Sequence, residues 1–273
     1  MKNSQIITYA PGLQLSAYVA AYWTGSFNLQ HTEQLEQTVV PNGAVELIIH
    51  LADAHCLLIN TAGEMERSPG YTLIGLHTAP YSVTFPAHVP VFGIRFYPDG
   101  LKNIFSVPSA VVLDSYADAG AVFGQDFRAF CLKLKNTRSN SGRIQQTERF
   151  LLCNLEKNKK SFDYVQLAAH IIRRQQGMLS QQYLVNNVPL GIRQLQRDFK
   201  TQTGITAKEY IRIARLNAIH RYMEVQHQPN LTDISYEYGF ADQAHFAREF
   251  KKLNGKAPRS FLKSRHNYII NAL

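Results

Sequence analysis

The chain has 273 residues, a formal net charge of +9, 45% hydrophobic residues and 18% charged residues, which is typical of folded domains and excludes a disordered chain. Its three cysteines, Cys56, Cys131 and Cys153, stand far apart, so neither a Cys-x-x-Cys metal pair nor a disulfide framework is expected. Reduced thiols, the lack of a signal-peptide pattern and the lack of a membrane-length apolar run together predict a cytoplasmic protein without a membrane partner.

The first hundred residues are predicted to form short β-strands. Runs rich in aromatic and β-branched residues at 71–77, 81–85 and 91–97 are separated by prolines, and residues 45–51 carry apolar side chains at every second position. Short strands divided by turns predict a small β-barrel or sandwich.

After Pro108 the apolar period becomes helical. Four residues share one face of a predicted helix: Phe123, Phe127, Phe130 and Leu134. A second predicted helix ends at the hydrophilic segment 157–160, and there we place the boundary between two domains, 1–160 and 161–273. The two helices are expected either to form a dimer interface or to support the β domain.

The positive charge is concentrated in the second of these domains. Residues 1–160 hold 13 Lys and Arg against 12 Asp and Glu, whereas residues 161–273 hold 16 against 8. A surface that contacts nucleic-acid phosphates requires such an excess, although a basic balance alone does not identify one.

A ten-residue pattern occurs twice in the C-terminal part, 51 residues apart. Residues 195–204 and 246–255 both read apolar, any residue, Arg, acidic, Phe, Lys, three variable residues and Gly. Each copy has apolar residues at i and i+4 and ends at a glycine, the usual signal for a helix C-terminus. The outer face of the first copy carries basic and amide side chains at helical spacing, which suits the DNA major groove: Arg193, Gln196, Arg197 and Lys200.

The segment between the two copies predicts one long helix. Thr206 and Glu209 form a capping-box pattern, and apolar residues follow at helical spacing as far as Val225. Twenty helical residues span roughly 30 Å, close to the roughly 34 Å between successive major grooves on one side of B-DNA. A short helix precedes each repeat helix, with Asn230 and Asp242 as caps in the second unit, so two helix-turn-helix units are predicted.

Residues 239–255, with Pro258 and Phe261 behind them, resemble the signature of the AraC/XylS family of transcriptional regulators. The resemblance covers residues 163–265 and departs from the family pattern at Pro189-Leu190-Gly191, in the turn before the first repeat helix. It implies a seven-helix DNA-binding domain that places two helices in consecutive major grooves of double-stranded DNA.

By matching position, this resemblance implies base contacts on both repeat helices: Arg193, Gln196, Arg197, Gln243, Ala244, His245 and Arg248. Cationic side chains around them are the candidate phosphate contacts: Lys200, Lys208, Arg212, Arg215, Lys251, Lys252 and Arg259. For each residue the alternative is ordinary packing or a solvated surface. The second repeat helix is poorer in long polar side chains, so the first is expected to discriminate more between base pairs.

In the N-terminal part, residues 40–43 and 92–98 resemble the cupin-like sensor domains of some family members, which implies effector binding or dimerisation. Five residues form the candidate effector pocket: Trp23, Glu46, His77, Arg95 and Tyr97. Glu46 and Arg95 interrupt apolar strands, and the alternative for them is a structural ion pair or a position on a solvent face.

Two other functions are considered for the N-terminal part. Cupin enzymes hold a metal through a His-x-His pattern, whereas His50 and His55 are separated by four residues. A DNA-repair fusion needs clustered thiols, whereas the three cysteines of this chain stand far apart. The sequence also contains no phosphate loop, dinucleotide fingerprint or nucleophile elbow.

The sequence therefore predicts an α+β protein with an N-terminal small β-barrel or sandwich and a C-terminal all-α domain. It is expected to be a non-enzymatic transcription regulator without metal or cofactor. The expected partner is DNA, with a small-molecule effector, a second copy of the chain and RNA polymerase as further candidates. A metabolite-binding or enzymatic N-terminal domain is the alternative.

Overall fold

The structure is a computed structural model that describes residues 3–28, 34–52, 55–59, 63–86, 90–158, 163–226, 229–265 and 268–270. The chain divides into two compact units, of which the first comprises residues 1–37, 44–76 and 82–161, and the second comprises residues 38–43, 77–81 and 162–273. The second unit thus takes in two short segments of the N-terminal part. The division of function at residue 160 stays a prediction. Within the described ranges, no helix is both long and apolar enough to cross a membrane.

Eleven β-strands are described: β1 (Asn3–Tyr9), β2 (Val19–Asn28), β3 (Gln34–Val39), β4 (Val45–His50), β5 (Leu57–Ile59), β6 (Met65–Arg67), β7 (Tyr71–Ile74), β8 (Tyr81–Pro86), β9 (Val91–Phe96), β10 (Tyr116–Asp118) and β11 (Tyr268–Ile269). One antiparallel sheet has the order β1-β2-β9-β4-β7-β10, and the other has the order β11-β3-β8-β5-β6. Neither sheet closes on itself among the described strands, so this part of the chain forms open sheets and not a closed barrel.

The central strands of the six-stranded sheet are buried on both faces. Every residue of β9 and all but Ile48 of β4 are buried, including the charged side chains of Glu46 and Arg95. Both alternating sets of side chains in β4 are therefore largely withdrawn from solvent, and neither set forms a solvent-exposed face. The predicted strand 71–77 ends at Ile74. The next residue, Gly75, lies so close to the backbone of Val112 that no Cβ fits there.

Four α-helices and one short 3-10 helix (Ser109–Val112) are described in the first unit; the α-helices are α1 (Gly100–Phe105), α2 (Ala119–Phe123), α3 (Gln125–Lys135) and α4 (Asn140–Lys157). The ring of Phe127 on α3 meets Tyr71 of β7 edge-on at 6.0 Å, and Phe130 stacks on Phe150 of α4 at 4.2 Å. These helices thus support the six-stranded sheet, as one of the two alternatives predicted. The predicted single stripe is divided between two helices, because Gly124 at φ +80° ends α2 after Phe123.

Seven helices are described in the second unit: α5 (Tyr164–Arg174), α6 (Gln181–Asn187), α7 (Ile192–Thr203), α8 (Ala207–Val225), α9 (Leu231–Glu237), α10 (Gln243–Asn254) and α11 (Pro258–Ser264). The predicted caps are present. Thr206 and Glu209 form a reciprocal capping box at α8, and Asp242 accepts a hydrogen bond from the N–H of His245 at α10. The unit is not entirely helical, since β11 pairs in parallel with Thr38 and Val39 of β3.

The core of the second helix-turn-helix unit contains a histidine that is neutral at physiological pH. His220 on α8 is 1% exposed and lies 5.7 Å from the Phe250 ring and 5.3 Å from the Phe261 ring, measured between centroids. Burial lowers the pKa of its imidazole to about 4. The unfolded chain, with an ordinary pKa of about 6.5, binds this proton more readily than the folded chain does.

We therefore expect His220 to make folding depend on pH. Its contribution is fully present above about pH 6.5 and is lost as the pH falls toward 4, at most about 3 kcal/mol in the free energy of unfolding. Urea unfolding of the wild-type chain and of His220→Leu at pH 7.5, 6 and 5 measures it. The free energy of unfolding of the wild-type chain should fall relative to that of His220→Leu on acidification. Parallel pH profiles of the two proteins would contradict the assignment.

Candidate nucleic-acid interface

The two repeat helices have the same length and the same ends. α7 and α10 each contain 12 residues and begin 51 positions apart. Each ends at a left-handed glycine, Gly204 at φ 86° and Gly255 at φ 76°, whose N–H donates to the carbonyl of a lysine at 2.8 Å. The internal repeat of the sequence is therefore a repeat of structure.

The inner faces of both helices are fixed by aromatic packing. Phe199 of α7 and Phe250 of α10 are fully buried. Phe199 lies 5.8 Å from the ring of Tyr210, and Phe250 lies 5.2 Å from the ring of Phe261, which stands 51 positions after Tyr210. Since each buried pair sets the rotation of its helix, it also decides which side chains face outward.

A buried polar pair repeats as well, although the two residues differ in type. Thr203 donates from Oγ1 to the carbonyl of Phe199 at 2.8 Å, and Asn254 donates from Nδ2 to the carbonyl of Phe250 at 2.9 Å. Both side chains are fully buried one position before the terminal glycine. The sequence pattern treats these positions as variable, so this feature was missed.

The outer faces of the two helices differ in polarity. On α7 the side chains of Arg193, Arg197 and Lys200 are exposed, and that of Arg197 is 72% exposed beside Asp198. Gln196 on the same face is half-buried. The corresponding positions of α10, 51 residues later, are Ala244, Ala247, Arg248 and Lys251. Only the arginine and the lysine are shared, and Gln243 adds one exposed amide at the first position of α10.

His245 is used within the turn that precedes α10. Its ring lies edge-on to Phe240 at 5.4 Å, and its Nδ1 is 3.5 Å from the N–H of Ala241. The side chain is only half-exposed. These contacts favour the packing alternative for this histidine over base readout.

Two of the candidate phosphate contacts are engaged inside the unit. Arg212 on α8 lies 3.1 Å from Glu249 on α10, and Arg215 donates from Nε and Nη2 to the carbonyl of Gly177 at 3.1 and 3.0 Å. Desolvation by burial lowers the pKa of Arg215, whose guanidinium also lies over the Phe240 ring at 5.5 Å. The partners of both arginines are not predicted by the sequence pattern, although Glu249 is the acidic position of the repeat.

The other candidate cations are accessible. Five are exposed in the second unit: Lys200, Lys208, Lys251, Lys252 and Arg259.

The turns of the two helix-turn-helix units differ, as the departure from the family pattern at Pro189-Leu190-Gly191 predicted. Gly239 in the second turn has φ +69°, and Asp242 caps the helix that follows. Gly191 caps α7 with φ −62° and without a side-chain hydrogen bond. α7 is therefore held by its buried face and its C-terminal glycine, and not by a side-chain cap at its N-terminus.

In the first unit, three of the five candidate pocket residues meet in the core. Trp23 donates from Nε1 to Glu46 Oε2 at 2.9 Å, and Arg95 donates from Nε to Glu46 Oε1 at 2.5 Å. Glu46 and Arg95 are direct cross-strand partners on β4 and β9. The indole of Trp23 covers Gly93, where any Cβ would overlap the ring. Glu46 and Arg95 thus form a buried ion pair and do not lie on a solvent face, while their role in an effector pocket stays a prediction.

The other two candidate residues have contacts of their own. His77 belongs to the second unit and stacks on Tyr81 at 3.9 Å, and Tyr97 follows the end of β9, where its N–H donates to the carbonyl of Tyr18. The rings of His50 and His55 lie 5.6 Å apart. Within the described ranges, no three His, Cys, Asp or Glu side chains are grouped as metal ligands.

Comparison with known proteins identifies two regions of the chain. Residues 184–264 match a family model described as a helix-turn-helix domain, and residues 7–118 match a domain of unknown function, DUF6597. Over 80 residues the chain is 32% identical to the HTH-type transcriptional activator RhaS of Escherichia coli. This match covers 29% of the chain and 28% of RhaS, so the chain spans just over a quarter of the curated relatives it matches.

Two solved structures match over longer stretches of the chain. ToxT of Vibrio cholerae is 12% identical, with 96% of this chain and 98% of that chain covered and a TM-score of 0.49. The AraC-like transcriptional activator CuxR is 11% identical, with 80% and 87% covered and a TM-score of 0.28.

Proposed function

We propose, on the premise that residues 184–264 are a helix-turn-helix domain, that this chain is a sequence-specific DNA-binding regulator of transcription. The observation that carries the proposal is the pair of repeat helices, each buried on its aromatic side and exposed on its basic side. α8 joins them, and its 19 residues span roughly 28 Å. That length supports docking of α7 and α10 in consecutive major grooves.

Base readout is assigned mainly to α7. Arg193, Gln196 and Arg197 offer the long polar side chains that recognise guanine and adenine edges. On α10 we assign base contacts to Gln243, Ala244 and Arg248, where the alanine is able to meet only a thymine methyl group. His245 is left out because its ring packs in the turn.

Phosphate contacts are assigned to the five exposed cations Lys200, Lys208, Lys251, Lys252 and Arg259. Arg212 and Arg215 are assigned to positioning, since Glu249 and the carbonyl of Gly177 hold them. Phosphate contacts set the position of a protein on the duplex, and base contacts supply the sequence preference.

The experiment that tests the proposal is selection of bound duplexes from a random-sequence library by the purified chain at near-physiological salt. Enrichment of two short boxes with centres about one helical turn apart is expected from two helices in adjacent grooves. Featureless enrichment would mean that the isolated chain does not engage both grooves, which contradicts the proposal for the unliganded protein.

Substitutions on α7 should separate base readout from phosphate contact. We expect Arg197→Ala to weaken binding to the selected site by about 1–3 kcal/mol and to relax its preference at a few base pairs. Lys200→Ala should weaken all sequences alike and reduce the salt slope by about one. Lys263→Gln, which removes an exposed charge from α11, is the control. Equal losses of Arg197→Ala on selected and random DNA would overturn the role of Arg197.

The first unit is proposed to regulate DNA binding by binding a small molecule or by pairing two copies of the chain, in the cytoplasm and without catalysis. Contact with RNA polymerase belongs to the same proposal. The alternative, a metabolite-binding or enzymatic first unit, is tested by metal analysis of the purified protein. A stoichiometric metal would replace the non-enzymatic proposal.

A further inference from the structure

We propose that the second unit has a ligand site of its own, a cleft between α8 and α10 that binds a small aromatic carboxylate. The cleft has a volume of about 260 Å³. It is formed by one face of α8, the inner edge of α10, Phe240 of the second turn, and Leu179 and Gln181 at the start of α6. The expected effect of the ligand on DNA binding rests on the proposed function, whereas the binding of the ligand to the cleft does not.

The interior of the cleft is apolar. α8 contributes Ile211, Leu216 and Ile219, and α10 contributes Phe250 and Leu253. Small-molecule sites are concave, mainly apolar and about 300–1,000 Å³ in volume. A cleft slightly below this range suits a body of one or two fused rings and excludes a long chain or a nucleotide.

The mouth of the cleft carries an excess of positive charge. Lys208, Arg212 and Arg215 line it from α8, and Glu249 is the acidic side chain that lines it from α10. Glu249 lies 3.1 Å from Arg212, whereas Arg215 bonds a neutral carbonyl. The charge of Arg215 is half-buried, its hydrogen bonds go to the carbonyl of Gly177, and Glu249 acts on it electrostatically. Lys208, on the same helix, is exposed.

These features together select one kind of ligand. A carboxylate gains most from a cation that is partly withdrawn from water, because the interaction is stronger in the lower local dielectric. Phe240 at the mouth and Phe250 in the interior give flat surfaces against which an aromatic ring packs. An aromatic monocarboxylate matches both parts, while a sugar would leave the apolar walls uncovered.

Binding there is expected to weaken DNA binding. The ligand would lie between α8, which joins the two helix-turn-helix units, and the repeat helix α10. The Arg212–Glu249 pair, which links these two helices, is beside it. It would also use Lys208, which we assign to a phosphate. Since linkage is reciprocal, DNA should weaken ligand binding by the same factor.

The test is calorimetric titration of the full chain with 2-naphthoate in the absence of DNA, with 2-naphthamide as the uncharged analogue of the same shape. We expect a dissociation constant for naphthoate of about 0.1–1 mM, as for a small ligand in a good site, and at least about tenfold weaker binding of the amide. Absence of naphthoate binding at about 5 mM, or equal binding of both compounds, would overturn the proposal.

Three variants locate the site. Lys208→Gln should weaken naphthoate about three- to tenfold, as expected for loss of one partly exposed charge contact. Leu253→Trp should abolish binding by filling the cleft, with thermal unfolding measured to confirm that the variant folds. Lys263→Gln removes the same charge outside the cleft and should leave naphthoate binding unchanged. Binding that is insensitive to both Lys208→Gln and Leu253→Trp would place the ligand elsewhere and overturn the assignment.

The outcomes remain distinguishable from failure of the proposed function. If the chain binds naphthoate through Lys208 but selects no DNA sequence, the ligand site stands and the regulator proposal fails. If it selects two DNA boxes and does not bind naphthoate, the reverse holds.

Discussion

Gly177→Ala is expected to unfold the helical part of the second unit under conditions in which the wild-type chain is folded. Gly177 has φ +70° and closes the turn after α5, where its N–H donates to the carbonyl of Ile172 at 3.0 Å. A Cβ at this position would overlap the backbone N of Arg215 and the carbonyl of Ile211, both on α8. Because helix backbone cannot move aside as a flexible side chain does, we expect a loss of more than about 3 kcal/mol in the free energy of unfolding.

Gly239→Ala is the matched control for this substitution. Gly239 has almost the same φ, +69°, but a Cβ there would meet only the tip of Met178 at 3.9 Å. It should therefore cost only the left-handed strain, about 1 kcal/mol. Urea unfolding followed by far-UV circular dichroism gives both values. Equal losses for the two variants would show that contact with α8 is unimportant.

Glu46→Ala is expected to produce the largest loss in the first unit. It leaves the guanidinium of Arg95, which is 5% exposed, without its partner and leaves the indole N–H of Trp23 without its acceptor. Removing one member of a buried ion pair costs about 3–5 kcal/mol, because the other charge stays buried and uncompensated. Trp23 is the only tryptophan of the chain, so its fluorescence follows unfolding of this unit directly.

Two further variants separate a lost pair from a lost charge. Glu46→Met combined with Arg95→Met removes both charges, and we expect it to be more stable than Glu46→Ala alone by about 1 kcal/mol or more. Arg128→Ala breaks an exposed pair with Asp118, at 3.8 Å, and should cost about 1 kcal/mol or less. If Glu46→Ala lowers the free energy of unfolding no more than Arg128→Ala does, the Glu46–Arg95 pair does not stabilise the first unit.

These two predictions depend on contacts that are distant in sequence. Nothing near Gly177 in the sequence indicates α8, which begins 30 residues later. Glu46 and Arg95 are unusual in the sequence, because charged residues interrupt apolar strands there. Whether they face solvent, each other or a ligand depended on the pairing of β4 with β9, which local pattern does not determine.

The repeat helices illustrate the opposite case. Their length, their terminal glycines and the choice of the buried face follow from local rules, namely the helical period and the ease with which glycine adopts a left-handed conformation. The structure confirms each of these features for α7 and α10. The roles of individual outward residues stay predictions until DNA binding is measured.

What the sequence determined by itself is the class of the protein: a strand-rich first part, a helical and basic second part, and a duplicated helix that ends in glycine. These are consequences of composition and short-range spacing, and each is readable within about twenty residues. What only the tertiary structure decided is which polar groups bind partners within the protein. Three contacts show this: Arg215 bonds the carbonyl of Gly177, Arg212 pairs with Glu249, and Glu46 pairs with Arg95. In each case the partners are distant in sequence and meet only in the folded chain.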